Sequence, residues 1–353
     1  MQRRPQILVL HAHIQPFLIA GIKKLAEEHR AEVLVVCWPK SDTSPTNTIE
    51  NTSIRFLTKR ADNVAEVHTC VREFNADIVY TVGWMDKTYL AWTQEHKKKG
   101  KKTLLAMDTQ WEGRLKQRLN CVLAPLFLRR VFTHAWVPGI KQYEYAKRLG
   151  FRDDEILSHL YAPDTDLFNK YYLSTLPKKT LGYPKNFLYV GRLVSHKLEN
   201  LLRAFSGLSD VELNGWKLIV VGNGPFVIAP FKKNPNILFR PFLQQNEQED
   251  IVSDAGVFCL TSSIEPWGMV VQEFAAAGLP LLVSKQCGAQ HSMVNEGSNG
   301  FLCDGNDVED IKKQLKLLAK LEPEQLLEMG AKSNHIGTVN NSATWAATLM
   351  SVF

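Results

Sequence analysis

Short apolar runs rich in Val, Ile and Leu alternate along the whole chain with longer amphipathic stretches. This alternation limits the fold more than any other feature. Strands apolar on both faces need cover on both faces, and intervening helices supply it, which is the pattern of a buried parallel sheet. In the first half the expected strands are 7–11 (ILVLH), 32–37, 53–57, 77–82, 103–107 and 133–137, with helical patterns over 17–30, 62–75, 87–100 and 111–131. In the second half the strands read 186–190 (NFLYV), 216–221, 236–239, 257–261 and 279–283, and helices fit 199–207, 247–255, 269–277, 308–321 and 323–334. Repeated strand–helix–strand units wind right-handedly, so the chain reads as two α/β domains. We place them at 1–170 and 171–335, with a C-terminal helix over 336–353 packing back on the first. The segment from Asp164 to Pro184 carries Thr, Ser, Lys, Pro and Gly with little periodicity and reads as the linker. Two such domains imply a cleft, and open parallel sheets bind ligands beyond the carboxyl ends of their strands.

Composition narrows the class without naming a function. With 45% hydrophobic and 22% charged residues in 353, the chain is neither disordered nor a disulfide scaffold. Two domains also fit the length. The longest apolar run, Cys121 to Leu128, is far short of a membrane span. The opening MQRRPQILVLHAHIQPFLIAG imitates a signal peptide, but His11, His13, Gln15 and Pro16 interrupt it, so it reads as a first core strand of a cytoplasmic protein. No cysteine pair has zinc-ligand spacing, so no metal site is expected.

Three segments in the second half could carry chemistry. Strand 186–190 runs into Gly191-Arg192, with Lys197 five residues after the arginine. Gly191 would let the backbone pass close to a bound group, and Arg192 and Lys197 could place a planar fork and a point charge on one diphosphate. Two solvated basic residues after a strand-end glycine are the plain alternative. Strand 216–221 ends in Gly222-Asn223-Gly224-Pro225, which is either a nucleotide-sized gap or an ordinary turn. The third segment, from Ser263 to Pro280, passes from a strand through a loop into a helix near Gly268. The first amides of that helix, around Met269 and Val270, suit a phosphate, because a helix N-terminus carries about half a positive charge. Glu265 in the loop and Glu273 in the helix could each accept hydrogen bonds from sugar hydroxyls.

Taken together, GR with a lysine five residues on, GNGP, and E-P-W-G-M-V-V-Q-E-F-A-A-A-G-L-P resemble the retaining GT-B glycosyltransferases of family four. Glu265 and Glu273 match that family's E-x7-E element, and Gly297-Ser298-Asn299-Gly300 its G-x-N-G turn. Ala162 to Phe168 resembles the segment that crosses between its domains. The likeness is dense over roughly 160–320 and thin before that. It implies two Rossmann-like α/β domains and sugar transfer from a nucleotide-sugar donor. Arg192 and Lys197 would hold the diphosphate with the amides near Met269 and Val270. Glu273 would bind the ribose, Glu265 the donor sugar, and backbone near Phe242 and Leu243 would face the base. Gly191, Gly222, Trp267 and Gly268 would complete the donor site. No metal or other cofactor is implied, since cations and a helix end do that work; Asp164-Thr165-Asp166 has the spelling of a metal-binding motif but lies in the crossover.

The first half departs from the family pattern. After the first strand stands His11-Ala12-His13 where the family often has paired glycines, and after the fifth stands Met107-Asp108-Thr109 where it often has a histidine. Asp108 could contact the donor sugar or orient an acceptor hydroxyl, or simply cap a helix before Trp111. His11, His13 and Trp84 are further candidates for the acceptor side. The expected acceptor is a glycan or a lipid-linked molecule in cell-surface polysaccharide synthesis; the competing reading is a nucleotide-sugar-binding protein without catalysis. Charge is lopsided: residues 1–172 hold 26 Lys and Arg against 19 Asp and Glu, so their net is +7 within a total of +6. Ten basic residues fall between Lys97 and Arg130 beside the apolar run 121–128. They are not interleaved with aromatics, which argues against nucleic acid. They suit either a solvated helix end or peripheral contact with an anionic membrane through 97–130.

Overall fold

The structure is a computed structural model that describes residues 3–39 and 51–353. The chain divides into two compact units, Met1–Asp164 with Asn340–Phe353, and Thr165–Val339.

The first unit comprises β1 (Gln6–His11), α1 (Pro16–Glu28), β2 (Glu32–Cys37), β3 (Ile54–Thr58), α2 (Val64–Phe74), β4 (Ile78–Val82), α3 (Lys87–Lys98), β5 (Lys102–Ala106), α4 (Leu115–Val131), β6 (His134–Trp136), α5 (Ile140–Arg148) and β7 (Ile156–Leu157). Its strands form one sheet in the order β3-β2-β1-β4-β5-β6-β7, every pairing parallel. The central strands are buried along nearly their whole length, as their largely apolar spelling requires.

The second unit comprises α6 (Thr165–Leu181), β8 (Asn186–Val190), α7 (Ser195–Ser206), α8 (Asp210–Leu213), β9 (Lys217–Val221), β10 (Ile237–Arg240), α9 (Glu249–Asp254), β11 (Val257–Leu260), α10 (Met269–Ala276), β12 (Leu281–Ser284), α11 (Gln290–Met293), β13 (Gly300–Cys303), α12 (Val308–Ala319) and α13 (Pro323–Gly337). Its sheet is again parallel, in the order β10-β9-β8-β11-β12-β13. The last helix, α14 (Ser342–Met350), belongs to the first unit. There Trp345 is buried, stacks on Trp136 at 4.9 Å and donates its indole N–H to Leu160 O at 2.9 Å.

Three expectations are corrected. Asp164 to Pro184 is not an irregular linker, because α6 fills most of it and buries Phe168, Tyr171 and Thr175. The polar composition and Pro177 hid this helix, but its buried side chains and its packing against α9 and α10 override weak propensity. The units consequently divide at Asp164/Thr165 rather than after 170, and the returning segment starts at Asn340 rather than 336, since α13 runs to Gly337. Finally, α4 starts at Leu115, not at Trp111. Gly113 sits at φ +70°, and the buried Gln117 side chain accepts from Glu112 N and donates to Gln110 O, which fixes residues 110–114 as a loop.

Candidate functional site

In the second sheet the strand order reverses between β8 and β11, and at such a switch point two successive loops splay apart and leave a crevice. The loops that leave these two strands are Gly191–Val194 and Thr261–Gly268, the two segments singled out in the sequence. Gly222, after the neighbouring β9, has φ +146°, and a Cβ there would lie 1.9 Å from Gly191 O. Its role is to let the corner after β9 touch the loop after β8. Gly191 N donates to Val221 O and Leu193 N to Asn223 O, so the β8 and β9 corners are sewn together, and Arg192 is left exposed at the turn.

Lys197, in the first turn of α7, meets Glu265 in an ion pair of 2.6 Å. The glutamate is buried and the lysine half-buried. Two further links hold the Glu265 loop. Ser263 N donates to His196 O, beside Lys197, and Gly288 N donates to Glu265 O. Trp267 is buried, with its carbonyl accepting from Ala289 N and the Cys287 thiol, so it braces the loop from behind. Burial and the nearby Glu265 charge push that thiol far above its usual range. Gly268 then turns the chain into α10 with φ +92°, and a Cβ there would meet Cys287 Sγ at 2.8 Å and Leu260 Cδ2 at 2.9 Å. Only glycine satisfies both the left-handed backbone and the tight fit. Met269 and Val270 form the half-buried first turn of α10 and put the positive helix end at this crevice.

One turn further, Glu273 is buried and accepts from Gln245 Nε2 at 2.6 Å. Gln245 follows Phe242, which is exposed, and Leu243, whose carbonyl accepts from Gln248 Nε2. Glu273 is therefore tied to the 242–248 segment by the Gln245 side chain, and a second amide, that of Gln248, secures the Leu243 carbonyl. Sequence reasoning missed Gln245, since nothing in QQNEQ singles it out; its significance lies in a partner 28 residues away. Among the described residues, no three His, Cys, Asp or Glu side chains gather in a metal-binding group.

The first unit repeats the switch-point logic between β1 and β4, from which the loops carrying His13 and Trp84 leave. His13 packs edge-on against Trp38 at 5.7 Å. The Trp38 indole donates to Asp86 Oδ2 at 2.8 Å, and Lys59 also binds that oxygen. Burial alone would raise the Asp86 carboxyl, but hydrogen bonds from Lys59, Tyr89 N and Trp38 outweigh it and hold it below the usual range. Trp38, Lys59 and Asp86 were invisible as a set because they come from three separate loops. Trp84 is half-buried against Tyr145. Asp108 caps no helix; its Oδ2 accepts from Tyr161 OH at 3.0 Å.

His11 is withdrawn from the surface, stacked on Tyr80, and desolvation lowers its imidazole to about 4. The folded state therefore binds this proton less readily than the unfolded chain. Stability from the neutral ring is complete above about pH 6.5 and drains away as pH falls towards 4, by about 3 kcal/mol in all. Urea titrations of wild type and His11→Phe across this window should diverge, the wild type losing more. Parallel pH profiles would show that His11 does not carry the loss.

Residues 177–335 match the family model described as Glycosyl transferases group 1. An uncharacterized glycosyltransferase of Haemophilus influenzae is 30% identical over 190 residues, covering 52% of this chain and 50% of that protein. A GDP-mannose-dependent alpha-mannosyltransferase of Corynebacterium glutamicum is 30% identical over 139 residues, or 39% of this chain and 32% of that protein. The chain thus spans half or less of the curated relatives it matches. The crystal structure of Anabaena HepE in complex with UDP aligns along 98% of this chain and 99% of its own, with a TM-score of 0.73 at 15% identity, a likeness of fold. The protein has the GT-B fold, two parallel-sheet Rossmann-like units, and residues 177–335 of its second unit are similar to the glycosyl transferases group 1 family.

Proposed function

We propose that this protein is a metal-independent glycosyltransferase that moves a sugar from a nucleotide-sugar donor to an acceptor hydroxyl with retention of configuration. One observation carries the reading: the ion pair of half-buried Lys197 with buried Glu265 and the positive end of α10 meet at the switch point of the second sheet. Lys197 and Arg192 meet the charge that develops on the leaving diphosphate, with the α10 amides beside them. Glu265, released from Lys197 as the diphosphate takes that cation, accepts from donor-sugar hydroxyls. Glu273 holds the ribose, and Gln245 keeps its carboxylate aimed. In the transfer, the bond from the anomeric carbon to the phosphate oxygen breaks with its electron pair going to the phosphate. The acceptor oxygen bonds the same face of that carbon, and its proton passes to the departing phosphate.

UDP and GDP sugars are the preferred donors in this reading; the Anabaena neighbour is a UDP complex and the Corynebacterium relative is named for GDP-mannose. The acceptor, a glycan or a lipid-linked sugar of a cell-surface polysaccharide, engages the first unit, where His13, Trp84 and Asp108 are the residues in play. The protein works at the cytoplasmic face of a membrane, touching anionic lipid through 97–130.

Thermal shifts against UDP, GDP, ADP and CMP sugars test the donor assignment. A ligand at a hundred times its dissociation constant adds about 2.7 kcal/mol of stability. Slow, EDTA-resistant hydrolysis of the winning donor separates an enzyme from a binding protein. Glu273→Ala is expected to weaken the free nucleotide by about 1.5–3 kcal/mol, the loss of hydrogen bonds to a charged group. Unchanged affinity in titration calorimetry would remove the ribose role.

A further inference from the structure

Large apolar side chains rarely stand together in water on one helix. On α4, Leu115, Leu119, Val122, Leu123, Leu126 and Phe127 are between 45 and 79% exposed. At about 100° per residue they fill one stripe of roughly 140° of arc and about 18 Å long. The opposite side is the packed one: Gln117, Leu128 and Val131 are buried, and Cys121 and Ala124 lie against the core of the first unit. The stripe is therefore not a core face mislaid by a shifted register. Exposed Lys116 and Arg130 stand at the two ends of the stripe and Arg118 borders one edge, and α4 contains no acidic residue.

We infer that α4 is an in-plane membrane helix, lying on anionic lipid with this stripe in the acyl boundary and its cations among the headgroups. This rests on the peripheral-membrane part of the function proposed above and moves the contact away from the lysine run. Lys97 is spent on the fold, donating to Arg129 O and Phe132 O at the end of α4, and Lys101 pairs with Asp77 at 2.9 Å. An apolar stripe with cations at both ends and along one edge matches a bilayer surface, where both phases are present at once and long cationic side chains reach the headgroups. Among the described residues no helix is long and apolar enough to cross a membrane, so contact through α4 would be in-plane.

The test is flotation of the full chain with phosphatidylglycerol–phosphatidylcholine vesicles and with phosphatidylcholine alone. Wild type should bind the anionic vesicles, and Leu119→Glu with Leu126→Glu should lose at least about tenfold of that binding while keeping donor hydrolysis. Val122→Trp should blue-shift and be quenched by brominated lipid. Absence of wild-type binding would overturn the membrane reading as a whole. Wild-type binding that survives Leu119→Glu/Leu126→Glu but fails in Lys98→Glu/Lys99→Glu would overturn α4 alone. A concentration-dependent dimer that the α4 double variant abolishes, with no vesicle binding, would make the stripe a self-association face and also overturn it.

Discussion

Lys197→Ala should lower turnover about a hundredfold or more while the protein still folds, because a preorganised cation at the leaving group is removed from the transition state. The variant also removes the cation 2.6 Å from the buried Glu265 carboxylate. Removing one partner of a buried ion pair costs up to about 3–5 kcal/mol, less here because the lysine is partly in water. Some loss of stability is therefore expected with the loss of rate, and the two need separating. Lys197→Met combined with Glu265→Gln removes both charges, so it should recover most of the stability and none of the rate. Single-turnover kinetics beside denaturant midpoints gives both readouts. Wild-type turnover in a folded Lys197→Ala protein would end the leaving-group assignment.

Trp345→Ala is expected to be the most destabilising single change in the first unit. The side chain is buried, lies against Trp136 and Tyr80, and ties its N–H to Leu160 O. Removing a buried tryptophan costs about 3–5 kcal/mol through lost burial and the cavity left behind. Against a typical total of about 5–15 kcal/mol this is a large share. Arg192, Lys197, Glu265 and Glu273, which we propose hold the donor, all lie in the other unit. Nucleotide affinity should therefore survive at temperatures where the first unit has lost its fold. A denaturant midpoint within about 1 kcal/mol of wild type would show that α14 is dispensable.

How much of this was legible in the sequence depends on what each residue must satisfy. Strands buried on both faces announce themselves, because burial leaves only apolar spellings available; β1, β4, β8 and β11 are examples. The turn into α10 was equally plain, since Gly268 answers a local backbone demand. By contrast α6 was read as linker, because its stability comes from partners elsewhere in the second unit and not from its own propensity. The short β7 escaped for the same reason. Within the site, Glu265, Glu273, Arg192 and Lys197 were picked out by spacing, whereas the pairing of Lys197 with Glu265 and the reach of Gln245 to Glu273 exist only once the sheet brings distant loops together. The Trp38–Lys59–Asp86 set is the extreme case, three residues from three loops with no shared motif.

The return of α14 to the first unit has a consequence for how the protein is made. In sequence terms, the second unit is an insertion within the first, which opens at the N-terminus and is completed only by Asn340–Phe353. A ribosome adding roughly 5–20 residues per second delivers all of Thr165–Val339 before Trp345 exists. The second unit can thus be finished while the first unit is still waiting for its last helix. The usual order of vectorial synthesis, first domain first, is reversed here, and the early-made strands need protection for the length of a whole second domain.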